Sequence, residues 1–360
     1  MNPRHGRLAR QYALIAATLV VPSSARGQDS TLDADSRRFG PTEIRDEHLL
    51  AQPRLTLPAT TPDTLGAGRT AFRASVLWSN SFGWTQERSG ENPANRRFLV
   101  DGETATLDLT LTHGLRANLD AGLRLPIAWR GGGRLDSVID AWHRLFKLPD
   151  GNRTDFRSDA YRVEGKNTLG QPFSWNQEAG IGLGSAEAFA RWRLSDGGPW
   201  TSGLIGRVAL PTGTGPFAGN GPGFGLQCVA ARRLGSAFDV FVGLGGTAQP
   251  AKPVRGVGYE RLRGHGFLAL EWRPWPSLSL VAETNAASRL VRDIDRYPES
   301  HWLINGELRV RLSPTAQLEV GFTENFASQM GTTDVAFQFG LRIKPASRRE
   351  SRPSVPPSRQ

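Results

Sequence analysis

From residue 70 onward, apolar and polar positions alternate with a period of two. Val335, Phe337, Phe339, Leu341 and Ile343 alternate with Asp334, Ala336, Gln338, Gly340 and Arg342. Ile304, Gly306, Leu308, Val310 and Leu312 do the same with Asn305, Glu307, Arg309 and Arg311, and Leu107, Leu109 and Leu111 with Thr106, Asp108, Thr110 and Thr112. Successive side chains of a strand point to opposite faces, so these runs predict strands with one apolar and one polar face. Read this way, the chain holds twelve segments: 70–82, 103–113, 118–128, 182–194, 202–212, 222–233, 237–247, 263–273, 277–287, 302–312, 316–326 and 334–344. Most span about eleven residues, enough for a tilted strand to cross a bilayer and long for a soluble sheet.

The connections sort by length. Those at 114–117, 195–201, 234–236, 274–276 and 313–315 are short, and those at 83–102, 129–181, 213–221, 248–262, 288–301 and 327–333 are mostly longer. Short turns on one rim and long loops on the other characterise outer-membrane barrels, the short side being periplasmic. A soluble β-sandwich has no reason to sort its loops this way. Trp78, Phe82 and Trp302 fall at the expected outer ends of strands, and Trp192, Trp272 and Trp275 at the periplasmic ends, where amphipathic rings favour the membrane–water boundary. The expected fold is all-β: an antiparallel up-and-down transmembrane β-barrel of about 12 strands over residues 69–344.

The N-terminus changes where this barrel is expected. Arg4, Arg7 and Arg10 precede an apolar run at 12–21, and Ala25-Arg26-Gly27 offers small residues before a cut at Gln28. That is a three-part secretory signal over residues 1–27, too short to span a membrane as a helix. Residues 28–68 are polar, contain prolines and lack a period, so they read as an irregular periplasmic lead-in or as a segment that enters the barrel. Residues 345–360 are rich in Pro, Ser and Arg and are expected to be a disordered basic tail. Cys228 is the single cysteine, which excludes an intramolecular disulfide and suits a small apolar packing role.

Of the net charge of +10, most comes from Arg4, Arg7, Arg10 and Arg26 in the leader and Arg348, Arg349, Arg352 and Arg359 in the tail. A nucleic-acid surface would concentrate its charge within the fold, so no nucleic-acid partner is expected. The partners expected are outer-membrane lipid and a small solute; oligomeric state is not legible.

If the apolar faces meet lipid, the alternate positions line the lumen. The candidates are Asp108, Glu187, Arg191, Arg193, Arg207, Glu271, Arg273, Glu283, Glu307, Arg309, Arg311, Glu319 and Arg342. Mixed charge inside a barrel has two readings: a water-lined passage for a small solute, or interlocked ion pairs that fill a structural or interaction barrel. An Arg excess toward the periplasmic ends favours anions. Twelve strands enclose a narrow lumen, between the filled eight-strand case and open sixteen-strand porins.

The long 129–181 connection carries a helical period. Leu135, Val138, Ile139, Trp142, Leu145 and Phe146 share one face, with Asp136 as candidate N-cap and Pro149-Asp150-Gly151 as the stop, so a short loop helix is expected near 135–148. Three placements are open: folded inward as a constriction or plug, lying on the outer-leaflet surface, or packed as a cap on neighbouring loops. His143 and Asp140 are expected on its solvated side.

No catalytic residue, cofactor or metal site is assigned. A lipase-like site would need Ser and His together on the lipid-facing surface, and neither His265 nor His301, with Ser300 beside it, shows a convincing spacing. His48, His113 and His143 add none. Asp293, Asp295, Glu299 and His301 share a loop but no fixed ligand spacing, so a solvated charged loop is expected. Gly182-Leu183-Gly184 and the glycines of 221–225 open no helix and are not phosphate loops.

Several local patterns carry a family resemblance. They are Asp101-Gly102-Glu103, the 135–146 run followed by Leu148-Pro149-Asp150-Gly151, Gly182-Leu183-Gly184, Pro211-Thr212-Gly213 and Glu271-Trp272-Arg273-Pro274-Trp275. In this order and spacing, over roughly 45–344, the chain resembles an uncharacterised Gram-negative outer-membrane β-barrel family, domain of unknown function 3187. The resemblance implies an outer-membrane barrel and no established activity. One departure is visible: such barrels commonly end on an aromatic residue, and this chain continues past Lys344.

Overall fold

A computed structural model describes residues 38–85, 98–147, 155–196, 199–325 and 331–344. The leader, the cut before Gln28, the basic tail and Leu148-Pro149-Asp150-Gly151 lie outside them, as do the side chains of Trp142 and Phe146.

The alternating runs become strands β1 (Thr70–Thr85), β2 (Phe98–Arg116), β3 (Leu119–Gly131), β7 (Glu187–Ser195), β8 (Trp200–Ala209), β9 (Gly223–Leu234) and β10 (Phe238–Ala248). They continue as β11 (Leu262–Trp275), β12 (Leu278–Ser288), β13 (Ser300–Arg311), β14 (Ala316–Asn325) and β15 (Val335–Ile343). Each pairs antiparallel with its sequence neighbour in this set. β1 also pairs with β15 from Phe72↔Ile343 to Asn80↔Val335, which closes a twelve-stranded barrel and leaves it without edges.

The expected segment 182–194 splits into β6 (Gly180–Leu183) and β7. The break lies opposite Pro126 of β3, which has no N–H for the ladder; Gly184 N donates to the Pro126 carbonyl at 2.9 Å instead. Two strands were not foreseen. β4 (Arg162–Lys166) and β5 (Pro172–Ser174) form a small hairpin that pairs with the far end of β2 through Phe98↔Gly165. Each has too few residues for a period to show.

Outward positions are apolar. Phe72, Val76, Leu123, Leu226, Leu268, Leu280, Ile304, Leu308, Leu318 and Phe339 are all exposed, whereas their chain neighbours are mostly buried or half-buried. Along β13 and the residue that follows it, the outward set runs from Trp302 to Leu312. Those ten steps of about 3.3 Å, tilted about 40°, give a belt about 25 Å tall, the height of a hydrocarbon core. Trp192, Trp200, Trp272 and Trp275 are exposed at one end and Trp78 and Trp302 at the other. Phe82 departs from expectation: it is buried, and the Phe156 ring packs on it at 5.4 Å. Cys228 is exposed on the outward face of β9. An arginine at Leu268, near the middle of the belt, is expected to cost about 2–4 kcal/mol of stability in a bilayer; denaturant titration of protein folded into vesicles measures it.

The apolar core sits at the rim of long connections (the loop rim). There Phe98, Val163, Phe173, Trp175, Val257, Tyr259, Leu290, Val291, Ile294 and Tyr297 pack around Leu49, Leu50 and Ala51. Burial in this cap pushes the Tyr161 phenol up to about 12, and those of Tyr259 and Tyr297 higher still, so none ionises near neutral pH.

Candidate functional site

The lumen is occupied by the chain's own residues 38–65. Pro41, Pro53, Pro58 and Pro62 interrupt this stretch, which forms no strand or helix, and it is buried over nearly its whole length. Buried backbone without regular structure must find its hydrogen bonds elsewhere. Here the inward side chains of the barrel supply them.

The segment starts at the rim of short turns (the turn rim). Arg38 Nη1 lies 3.1 Å from Asp63 and its Nε donates to Asp239 Oδ1 at 3.0 Å. Phe39 N and Gly40 N donate to the two oxygens of Glu271, each at 3.1 Å. Thr42 donates through its N and Oγ1 to Glu283 at 2.9 and 2.8 Å, and Asn285 and Asn305 complete that carboxylate. Arg309 donates to the carbonyls of Gly40 and Pro41 and to Glu307. Midway, Glu43 meets Arg342 at 2.6 Å, and Glu319 bridges Arg342 and Arg73 at 2.8 and 2.7 Å. Glu187 gathers Arg45 from the segment at 2.8 Å and Arg124 and Arg207 from the wall at 2.9 and 3.7 Å.

Near the loop rim the segment turns. Ala51 N and Gln52 N donate to His48 O, and Leu49–Ala51 enter the apolar cap. Arg54 donates to the carbonyls of Pro250 and Glu260 at 2.8 and 2.7 Å, its guanidinium over the Tyr259 ring. The return limb is less charged. Ala59 packs among Ile205, Val229, Phe241, Phe267 and Val281, an apolar lumen patch that alternation alone did not single out. Arg191 then donates to Asp63 O at 2.9 Å, and Leu65 N to Asp120 at 3.0 Å, back at the turn rim. The segment is therefore a loop that enters and leaves by the same rim. Wall glycines make room for it: a Cβ on Gly225 would stand 2.8 Å from the Leu57 side chain. Of the two readings of residues 28–68, the described part takes the second.

All thirteen lumen candidates lie on inward positions of their strands. Asp108 pairs with Arg124 at 2.6 Å, and Arg273 with Asp239. Arg193 and Arg311 sit at the turn rim, the former on Asp196 and Ala117 O, the latter with its guanidinium 4.8 Å from the Phe39 ring centre. Arg73, Arg124, Asp120 and Asp239 were missed on the wall, although they obey the same alternation. Arg38, Glu43, Arg45 and Glu47 carried no periodic signal. Two small cavities flank the segment, each with room for about three waters. One is lined by Arg45, Glu47, Arg124 and Glu187, the other by Arg263, His265 and His301.

Helix α1 (Asp136–Phe146) forms where expected but is not the plug. Leu135 and Ile139 pack on Val335 and Phe337, which share the outward face of β15, so α1 lies across the outside of the barrel near its β1–β15 seam. Val138 and Leu145 remain exposed on its far side. The N-cap is Leu135, not Asp136. The Asp136 carboxylate accepts from Asn80 and from Asp159 N, and Leu135 N donates to Glu103. His143 is buried against the barrel rather than solvated.

His265 and His301 are inward and line one cavity, while Ser300 is exposed on the opposite face of β13. The lipid-facing Ser–His pairing that a barrel lipase needs is not assembled by these residues. Asp293 accepts from Gly258 N at 2.8 Å and Glu299 from Arg289 at 2.5 Å, and these two do not converge with Asp295 and His301 on a common point.

A sequence profile described as "Protein of unknown function (DUF3187)" matches residues 28–344. No curated protein matches. Among solved structures, a COG4313 outer membrane channel from Pseudomonas putida F1 aligns with a TM-score of 0.54 at 11% identity, covering 81% of this chain and 100% of that one. The NanC porin aligns at 0.43 with 7% identity over 75% of this chain and 100% of that one. The P. putida toluene transporter TodX aligns at 0.38 with 9% identity over 84% and 94%. The first likeness establishes the fold as that of an outer-membrane barrel.

Proposed function

The chain belongs to the protein family of unknown function DUF3187, and we propose that it is a narrow outer-membrane channel for a small anionic solute, closed by its own residues 38–65. In this reading residues 1–27 direct export and the turn rim faces the periplasm. The long loops face outward and α1 rests in the outer leaflet.

The observation that carries the proposal is the mode of filling. The space between the paired charges of the wall is filled by a tethered segment, and that segment enters and leaves by one rim. Withdrawal needs no strand to open. Inward arginines, among them Arg73, Arg124, Arg207, Arg263, Arg309 and Arg342, outnumber inward carboxylates among the described residues. The segment itself carries Arg38, Arg45 and Arg54 against Glu43, Asp46, Glu47 and Asp63, so its departure exposes a wall with excess positive charge. The many ion pairs that hold the segment favour a second reading, a permanently filled structural barrel.

A covalent lock separates the two. The Asp46 carboxylate accepts from Thr333 Oγ1 at 3.1 Å, so the segment and the β14–β15 connection touch there. Cysteines at both positions, in a Cys228→Ser background, are to be joined by oxidation or a short bis-thiol reagent. In planar bilayers the joined form is expected to stay closed and the reduced form to show openings. Silence in both states supports the filled barrel, and equal conductance in both contradicts gating by this segment.

A further inference from the structure

We infer that His143, Glu324 and Asp334 form a divalent transition-metal site that pins α1 across the closing seam of the barrel. The three come from separate parts of the chain: α1, the end of β14 and the residue before β15. One ligand atom from each lies within 4.8 Å of the other two. Sequence spacing gives no hint of the grouping.

His143 is the second, independent observation. It is 5% exposed, and neither ring nitrogen has a hydrogen-bond partner among the described residues. A buried polar group left unsatisfied costs about 1–3 kcal/mol, so native structures rarely keep one without a use. The Nε2 atom stands 4.0 Å from Glu324 Oε1, too far for a hydrogen bond and close enough for both to reach one ion. Bonds of about 2.0–2.1 Å at tetrahedral angles place ligand atoms about 3.4 Å apart, a contraction that side-chain rotation supplies.

The surroundings hold the ligands in place. Asn325 Nδ2 donates to Asp334 Oδ1 at 3.0 Å, and Asp334 N donates to Asn80 O at 2.9 Å. Such outer contacts orient a ligating carboxylate. The Glu324 side chain is 20% exposed, which leaves a way in from solvent. One imidazole and two carboxylates suit Zn²⁺ or a neighbouring transition ion better than Ca²⁺ or Mg²⁺, which favour all-oxygen sets. Among the described residues, the helix is joined to the barrel by hydrogen bonds involving Glu103 and Asn80 and by the small cluster of Leu135, Ile139, Val335 and Phe337, while Asp159 N donates to Asp136 from the following loop. A bound ion ties it to β14 and β15 as well.

The test uses the full chain folded in detergent, stripped with chelator and titrated with Zn²⁺ by calorimetry. One ion per chain is expected to bind, with a rise in the heat-unfolding midpoint. His143→Ala and Glu324→Gln are each expected to weaken binding at least about tenfold, while His113→Ala on the opposite rim leaves it unchanged. X-ray absorption of the Zn²⁺-loaded wild type should show imidazole and oxygen ligands, a readout that does not depend on any variant folding. Unaltered affinity in both variants, no binding to folded wild type, or a spectrum without imidazole overturns the proposal. Ca²⁺ binding that ignores the His143 substitution overturns the choice of ion class.

Discussion

Deletion of residues 38–65, with the leader kept, is expected to turn a closed barrel into an open, anion-selective pore. The twelve-strand ladder closes through β1 and β15 without help from the segment, so the wall should survive its loss. What disappears is the material between Asp239, Glu271, Glu283, Glu307, Arg309 and Arg342, all of which then face water. Hydration replaces the lost hydrogen bonds, and the surplus of inward arginines sets the field. Single-channel conductance should rise from brief openings to a steady level. The reversal potential in a salt gradient should shift toward that of the anion. A deleted barrel that folds, as judged by its heat-dependent mobility on gels, and still does not conduct would point to closure by the cap or the wall.

The second large effect is expected at Arg309. Its guanidinium is fully buried and donates to Gly40 O, Pro41 O and Glu307 at once. Arg309→Met leaves a buried carboxylate and two carbonyls without their donor, and removing one partner of such a pair costs about 3–5 kcal/mol. The loss should appear as a lower unfolding midpoint and as faster proteolysis of residues 38–65 from the turn rim. Arg309→Lys keeps the charge but lacks the planar fork, so it should fall between. Adding Glu307→Gln to Arg309→Met should recover part of the loss, because the unpaired charge is then gone. Arg311, stacked over Phe39 at the rim, should matter far less when cut to alanine.

Some features were legible because one physical rule covers them. A strand between lipid and lumen must alternate, and Leu308 beside Glu307 and Arg309 states that plainly. The same rule put all thirteen charged candidates inside. It would also have found Arg73, Arg124 and Asp239 had it been applied at every inward position. It was silent on the neighbours each charge would choose, since Glu187 meets Arg45 across most of the chain's first half.

The alternation of the chain thus determined the twelve strands of the barrel wall, their inward and outward faces and the sorting of short and long connections, because each depends only on local period and length. Three matters were decided by tertiary structure alone. Residues 38–65 have no period because no regular neighbour constrains them; their place in the lumen follows from hydrogen bonds to side chains far away in sequence, such as Glu271, Glu283 and Arg309. Helix α1 was readable as a helix, but its apolar face fits a lumen, a membrane surface or a loop equally well. Its seat on Val335 and Phe337 was settled by which outward surface lay within reach once the barrel had closed. The burial of His143 beside Glu324 and Asp334 follows from that same closure, which brings the last two strands to the first.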